Sequence, residues 1–555
     1  MEAADTEDAL GAPVTRRDRV YREPGVWRDP VAWTIAALVF GAYYAISLFR
    51  FLQLAPASWD LGIYTEYVKQ LSLLRAPIVD VRGPGFNLLG DHFQVGLAVL
   101  APFFRLFPSP ATLLFFQALA TALSVFPVIA AGSVLLGRPS GRTIGFAFGF
   151  SWGLQQMISF DFHEIALAVP LLAFSLSALI RGRLRATALW AMPLVFVKED
   201  QGFTVAAIGA LLVFDGVRAL ADGPAGSGSA GSRPAGRRGS IGWGALLFGW
   251  GLTWSVLAIT VIIPHFNSLH AYYYWKDGGV VGGNSGFSAG ALVVQTASGW
   301  PVKLQTVIML LLPTAFAALG SPVALVALPS LALRFVSTNS AYWGTGFHYN
   351  ATLMPILFIA AVEALARWRA VGPARRPGGL NRLGRLGRLG RLNRLGRLGR
   401  LNRLGRLGRP IGALGDRAGG LWTGVRGGLA RHAAAMMAAV AVTLAFQFPL
   451  SDLWHGSTYT ISPQVAADNA AMAVVPDGAT VQTTLDLLAP LAARTDTFWI
   501  GNSGNPLTEY LVFDGKNSGY SPVPTDVPAF IAELYPTAGY RQIFSRSDVY
   551  VFRRG

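Results

Sequence analysis

Apolar stretches near the roughly 20 residues that a spanning helix needs recur from Val31 to about Leu450, separated by short polar breaks. The pattern predicts about eleven spans, at 31 to 54, 111 to 137, 143 to 159, 165 to 180, 186 to 197, 201 to 215, 241 to 264, 302 to 319, 322 to 337, 350 to 366 and 431 to 450. Several are short, so their ends are soft. The first run follows a polar N-terminus and is too long for a signal-peptide core, so it reads as an uncleaved first span. Val95 to Phe107 is too short to span unaided and reads as re-entrant or interfacial.

The pattern changes after Leu450. Asp468 to Val474 reads as a helix, Thr480 to Thr484 and Glu509 to Asp514 as strands, Val527 to Leu534 as a second helix and Val549 to Arg553 as a strand. The expected fold class is therefore an all-α polytopic transmembrane bundle followed by a small α/β domain. The expected divisions are a cytoplasmic, disordered N-terminus at 1–30, a membrane core at 31–366, an arginine-rich loop at 367–430, a last span at 431–450 and the C-terminal domain at 451–555.

Composition agrees, with 52% apolar and 14% charged residues. A net charge of +16 raises the question of nucleic-acid binding, but the location of the charge answers it. Arg367 to Arg431 holds seventeen arginines against the single acid Asp416, so the remainder of the chain is neutral overall. A basic tract beside apolar spans fits a cytoplasmic loop facing anionic lipid, and no nucleic-acid partner is expected. Within it, Asn381 to Arg409 repeats Arg-Leu-Gly with a period of three, which matches neither a helical face nor a strand. The Gly/Ser/Ala/Arg-rich stretch Ala221 to Ser240 reads as a flexible linker. With no cysteine there is no disulfide framework, thiolate metal site or cysteine nucleophile.

Arginine also orients the chain. Arg16, Arg17, Arg19, Arg22 and Arg28 put the N-terminus in the cytoplasm, and the expected inner loops at Arg138/Arg142, Arg181/Arg183/Arg185, 216–240 and 367–430 are basic. Only the turn Gly320 to Pro322 carries no charge. An odd number of spans exports the C-terminal domain and gathers the unusual polar clusters on the same outer side.

Those clusters are the candidates for chemistry. Asp60 opens Trp59-Asp60-Leu61-Gly62-Ile63-Tyr64-Thr65-Glu66-Tyr67, whose apolar positions at 63, 67, 71 and 74 form one face of a helix. Such a helix is expected to lie flat on the outer membrane surface, with Asp60 either an N-cap or an active-site carboxylate and Glu66 a further candidate. Asp91-His92 ends the first outer loop and can bind metal or share a proton. Asp161, His163 and Glu164 put three potential ligands within four residues, a density suited to Mg²⁺ or Mn²⁺; the bland alternative is an ion-paired loop involving Lys198. Lys198, in Lys198-Glu199-Asp200, offers a cation for a phosphate or simply pairs with Glu199 or Asp200, and His348 offers a donor to phosphate or is an interfacial histidine with no role. There is no Walker A loop, dinucleotide fingerprint or Gly-x-Ser-x-Gly elbow.

Together, Trp59-Asp60-Leu61-Gly62-Ile63-Tyr64, Leu88-Leu89-Gly90-Asp91-His92-Phe93, Phe162-His163-Glu164, Val197-Lys198-Glu199-Asp200 and His348-Tyr349-Asn350 resemble a family of predicted bacterial membrane proteins, domain of unknown function 2079. The resemblance covers roughly 35 to 370 and, more loosely, the C-terminal domain. That family in turn resembles the GT-C glycosyltransferases, membrane enzymes that take a sugar from a polyprenyl-phosphate donor at the outer face. The resemblance implies a plasma-membrane enzyme with Asp60 as the acidic residue of the first outer loop and general base of an inverting transfer. It also implies that the leaving phosphate is stabilised either by a metal at Asp161, His163 and Glu164, although that segment is not a plain Asp-x-Asp, or by Lys198 and His348. The expected partners are membrane lipid and a polyprenyl-phosphate sugar. Two competing readings are a lipid or lipid-linked-sugar carrier and an inert scaffold. Carriers keep ionisable groups near the midplane and often show inverted repeats, whereas here the clusters sit at one face without a repeat.

Overall fold

The computed structural model describes residues 25–56, 58–221, 234–276, 289–370, 431–519 and 522–555. The Arg-Leu-Gly repeat and most of the N-terminus and Gly/Ser linker lie outside these residues. Among the described residues, five helices are long and apolar enough to cross a membrane: α1 (Pro30–Leu52), α3 (Pro110–Leu136), α5 (Gln201–Ala221), α6 (Arg238–Phe266) and α8 (His348–Ala370). Between them fall α2 (Asp60–Ser72), α4 (Ala168–Ile180) and α7 (Leu328–Val336). Shorter apolar helical stretches occupy Val95–Leu106, Glu164–Ile180, Leu184–Phe196, Pro322–Val336 and Arg431–Ala445.

Two expected spans are broken. Residues 143 to 159 divide into helices Arg138–Gly149 and Trp152–Ser159. The stretch from 302 to 319 is a helix only over Trp300–Leu311; beyond it Pro313 cannot continue the ladder, and Ala315 and Phe316 take positive φ.

Local chemistry sets the helix starts and contacts. Asp29 caps α1 by accepting from the Val31 N–H at 3.0 Å, with Pro30 at the first helical position. α5 and α6 pack backbone to backbone through glycines. A Cβ on Gly202 would stand 2.3 Å from the Gly251 carbonyl oxygen, and one on Gly209 would stand 2.4 Å from the Phe248 nitrogen. Helix α8 is buried over nearly all its faces, which explains why its sequence shows no polar stripe.

The C-terminal domain is a five-stranded mixed sheet of order β2-β1-β3-β5-β4, with β1 (Thr480–Thr483), β2 (Asp496–Trp499), β3 (Tyr510–Asp514), β4 (Tyr540–Arg546) and β5 (Val549–Arg554). Helices α9 (Pro463–Val474), α10 (Leu488–Ala492) and α11 (Val527–Leu534) pack on it. β1 runs parallel to β2 and β3, whereas β5 is antiparallel to β3 and β4. Three strands and the two expected helices are those the residue pattern predicts; β2 and β4 are additional. β2 has four residues, and β4 is an edge strand, mostly exposed, that shows no apolar face. Its hairpin to β5 turns at Ser547 and Asp548, both at positive φ.

The environment of α2 corrects the expectation of a surface helix. Leu61 to Val68 are all buried, because the stretch Val95–Leu106 and the start of α3 pack on α2 together with α10 of the C-terminal domain. A Cβ on Gly62 would stand 3.1 Å from the Leu488 Cβ, Trp59 and Trp499 lie with ring centroids 4.5 Å apart, and Lys69 donates to the Thr495 carbonyl at 2.7 Å.

Candidate active site

Asp60 is the first residue of α2 and does not cap it. Trp59 holds the N-cap position, and the Asp60 carboxylate instead accepts from the Ser58 hydroxyl and faces the His163 Nε2 at 3.4 Å. The position of His163 is set by Gln117 on α3, a buried amide inside a spanning helix. It donates to the Asp161 carbonyl at 2.6 Å and accepts from the His163 N–H at 3.0 Å. That clamp holds the turn in which Asp161 takes positive φ. The His163 ring stacks on His348 at 3.7 Å between centroids, and among the described residues neither ring nitrogen of the buried His348 has a hydrogen-bond partner.

Lys198 reaches the same place from the turn before α5, and its Nζ lies 2.8 Å from a Glu164 carboxylate oxygen. Glu164 is fully buried and also accepts from the Tyr64 hydroxyl. The ion-paired loop considered from the sequence is thus present for Glu164. Burial pushes the Lys198 ammonium down, but the carboxylates of Glu164, Glu199 and Asp200 outweigh it and hold the group well above its ordinary value. Burial likewise pushes Asp60 up, yet His163, Ser58 and Lys198 hold it at about 2, so it is an anion throughout the neutral range.

A second layer fixes the rim. His92 Nδ1 lies 2.7 Å from Glu199, which also accepts from the Phe93 N–H at 3.1 Å and the Tyr272 hydroxyl at 2.9 Å. Burial pushes the Glu199 carboxyl up, but His92 dominates and lowers it to about 2. Asp91 accepts from the Tyr274 hydroxyl at 3.1 Å and lies 3.9 Å from Arg82. Arg334 on α7 donates to the Tyr342, Tyr349 and Gly344 carbonyls and to Asn350, which fastens the loop carrying His348.

These groups enclose two adjoining cavities. The larger, about 330 Å³, is lined by Asp60, Arg82, Asp91, His163, Lys198 and His348 among others. The smaller, about 140 Å³, lies on the other side of a shared wall of His92, Lys198, Tyr274 and His348. Its other walls combine Asp200, Glu199 and Arg334 with apolar Phe203, Ile259 and Leu333.

Most of the residues singled out from the sequence are brought together here, but Asp161 and Glu66 are not. The Asp161 carboxylate accepts from the Ser58 N–H at 3.1 Å and borders a separate small cavity beside Arg50. Glu66 is buried within α2, where it accepts from the Val81 N–H at 2.9 Å and burial raises it to about 8. Asp161, His163 and Glu164 therefore turn to three different partners rather than to one point. Arg82, Gln117, Tyr274 and Arg334 were missed. The run Ala271-Tyr272-Tyr273-Tyr274-Trp275 was a visible aromatic signal, whereas a glutamine inside an apolar span carries none for a turn distant in sequence.

Among the described residues, one acidic trio has ligand atoms within 4.8 Å of one another: Asp468 on α9, Asp486 after β1 and Asp514 at the end of β3. All three are buried, and neither Asp468 oxygen has a hydrogen-bond partner. The trio is compatible with a divalent cation, and it sits in the C-terminal domain rather than in the cavity.

A multi-pass helical membrane protein with a polar cavity and a separate C-terminal mixed-sheet domain has a fold broadly of the GT-C type. The chain belongs to the family described as predicted membrane protein (DUF2079), whose model matches residues 50–377. The crystal structure of ArnT from Cupriavidus metallidurans bound to undecaprenyl phosphate is similar at TM-score 0.51 and 14% identity, covering 93% of this chain and 97% of that one. The same protein in the apo state gives a TM-score of 0.44 at 13% identity, with 92% and 96% covered. None of the curated proteins matches the sequence.

Proposed function

We propose that the protein is a glycosyltransferase that moves a sugar from a polyprenyl-phosphate donor to an acceptor hydroxyl at the outer membrane face. The observation that carries this reading is the meeting of Asp60, His163, Lys198 and His348, from four separate segments, on one cavity of about 330 Å³. Fold likeness to ArnT, which is bound to undecaprenyl phosphate in its crystal structure, supports the donor class. The topology that goes with this reading has eleven crossings, a cytoplasmic N-terminus and an exported C-terminal domain.

In the reaction, the acceptor oxygen attacks the anomeric carbon opposite the phosphate, inverting it, and the carbon–oxygen bond to the phosphate breaks. The phosphate leaves with the bonding pair. Lys198 neutralises that charge, and His348 has an unengaged ring N–H to give it. Asp60 receives the hydroxyl proton. A carboxylate held at about 2 is a weak base, so the proton crosses late, once the new bond has made the hydroxyl acidic. The smaller cavity, with its apolar wall and Lys198, suits the lipid phosphate, and the larger suits the sugar and acceptor.

Purified protein in nanodiscs should consume at least one member of a panel of polyprenyl-phosphate sugars and release the lipid phosphate. If no donor is consumed while the lipids still bind, headgroup carriage takes the place of transfer.

The divalent cation belongs in this reading to Asp468, Asp486 and Asp514, whose all-oxygen ligands suit Ca²⁺ or Mg²⁺. Adding either ion to chelator-stripped protein should stabilise the C-terminal domain by about 2.7 kcal/mol at a hundredfold excess over Kd, seen as a higher thermal midpoint. Asp468→Asn should lose the shift. Turnover per folded molecule should survive EDTA, and EDTA-sensitive chemistry would return the metal to the cavity.

A further inference from the structure

At the end of α1 opposite Asp60 there is a second polar cavity, of about 300 Å³, between the start of α1 and the segments that follow α3 and α4. Five arginines line it, Arg28, Arg138, Arg142, Arg181 and Arg183, against one carboxylate, Asp29. Asp29 is already engaged by Arg142, which donates Nε at 2.9 Å and Nη2 at 2.8 Å to its two oxygens. Arg181 is anchored to the helix end by donating Nε to the Ser177 carbonyl at 2.8 Å. Five guanidiniums against one carboxylate among the described lining residues make the lining basic. None of this is used by the chemistry proposed at Asp60.

The surroundings show what kind of anion fits. Asp29 precedes the first residue of a spanning helix, and Arg181 follows the last residue of α4, so the cavity lies at the depth where lipid headgroups meet helix ends. Trp27 is half exposed at its edge and stacks on Phe126 at 4.5 Å and Phe174 at 6.2 Å, while Trp33 donates to the Trp27 carbonyl at 2.9 Å. An indole anchored beside clustered arginines is the combination that sits at a membrane interface. Guanidinium forks match the paired oxygens of a phosphate, and basic pockets between spanning helices hold phospholipid headgroups. We propose that this cavity binds the phosphate of an anionic phospholipid and ties the ends of α1, α3 and α4 to it.

Native mass spectrometry of the full chain, released from micelles containing phosphatidylglycerol or phosphatidylcholine, reads the retained lipid directly. The expected result is retention of phosphatidylglycerol in preference to phosphatidylcholine. Retention should weaken about tenfold or more in Arg138→Gln/Arg183→Gln and remain unchanged in Arg185→Gln. Arg185, in the first turn of the helix that Arg183 precedes, does not line the cavity, so an equal loss in that variant would overturn a built site in favour of general surface charge. No preference between the two lipids in the wild type would also overturn the proposal, without recourse to any variant. Inorganic phosphate separates the two sources of the anion. Failure to displace the lipid supports the headgroup, and displacement at low millimolar concentration overturns it in favour of the free ion.

Discussion

Asp60→Asn should lower turnover of a polyprenyl-phosphate sugar by about 10²- to 10⁴-fold, the contribution of a positioned acid or base, while the protein stays folded. Asparagine keeps the size of the side chain and an oxygen that can accept from the Ser58 hydroxyl. What it loses is the negative charge facing His163 at 3.4 Å and the capacity to take the acceptor's proton. The assay is single-turnover release of lipid phosphate in nanodiscs, with size-exclusion behaviour and thermal midpoint compared between variant and wild type. A rate within about threefold of wild type, at intact fold, would leave Asp60 outside the chemistry and remove the main support for transfer.

Lys198→Met should be the most damaging of the site substitutions for stability. Its partner Glu164 has no exposed surface, so removing the ammonium leaves a buried carboxylate whose remaining side-chain partner among the described residues is the Tyr64 hydroxyl. Breaking such a pair costs about 3–5 kcal/mol, read as a fall in the denaturation midpoint. The double variant Glu164→Gln/Lys198→Met should recover most of that stability, since no uncompensated charge remains, but should not recover turnover. Full recovery of both would mean that the pair is structural and that Lys198 has no part in stabilising the leaving phosphate.

These two expectations depend on positions that were legible in the sequence to different degrees. Asp60 stands out because it follows the first apolar run, and Lys198 because a cation between two apolar stretches needs a reason. Their partners were harder. Asp161, His163 and Glu164 are close in sequence and read as one ligand set, yet the turn held by Gln117 sends each side chain to a different neighbour. Glu66 shares a helix with Asp60 but lies buried along it, away from the cavity. The acidic trio was invisible because Asp468, Asp486 and Asp514 lie on different elements and meet only when the sheet forms.

By itself the sequence determined that this is a multi-pass membrane protein, because apolar runs of spanning length have no stable alternative to a helix in lipid. It also determined three of the five strands, where β-branched and aromatic residues cluster. It left undecided which surface α2 meets, since an apolar helical face packs equally well against lipid or against protein, and only the packing of Val95–Leu106, α3 and α10 around it resolved that in favour of protein. The tertiary structure likewise decided that His163 stacks on His348 beside Asp60 and that five arginines from three separate segments share one cavity. Contacts between residues so far apart along the chain follow from how the helices pack, and no local pattern encodes them.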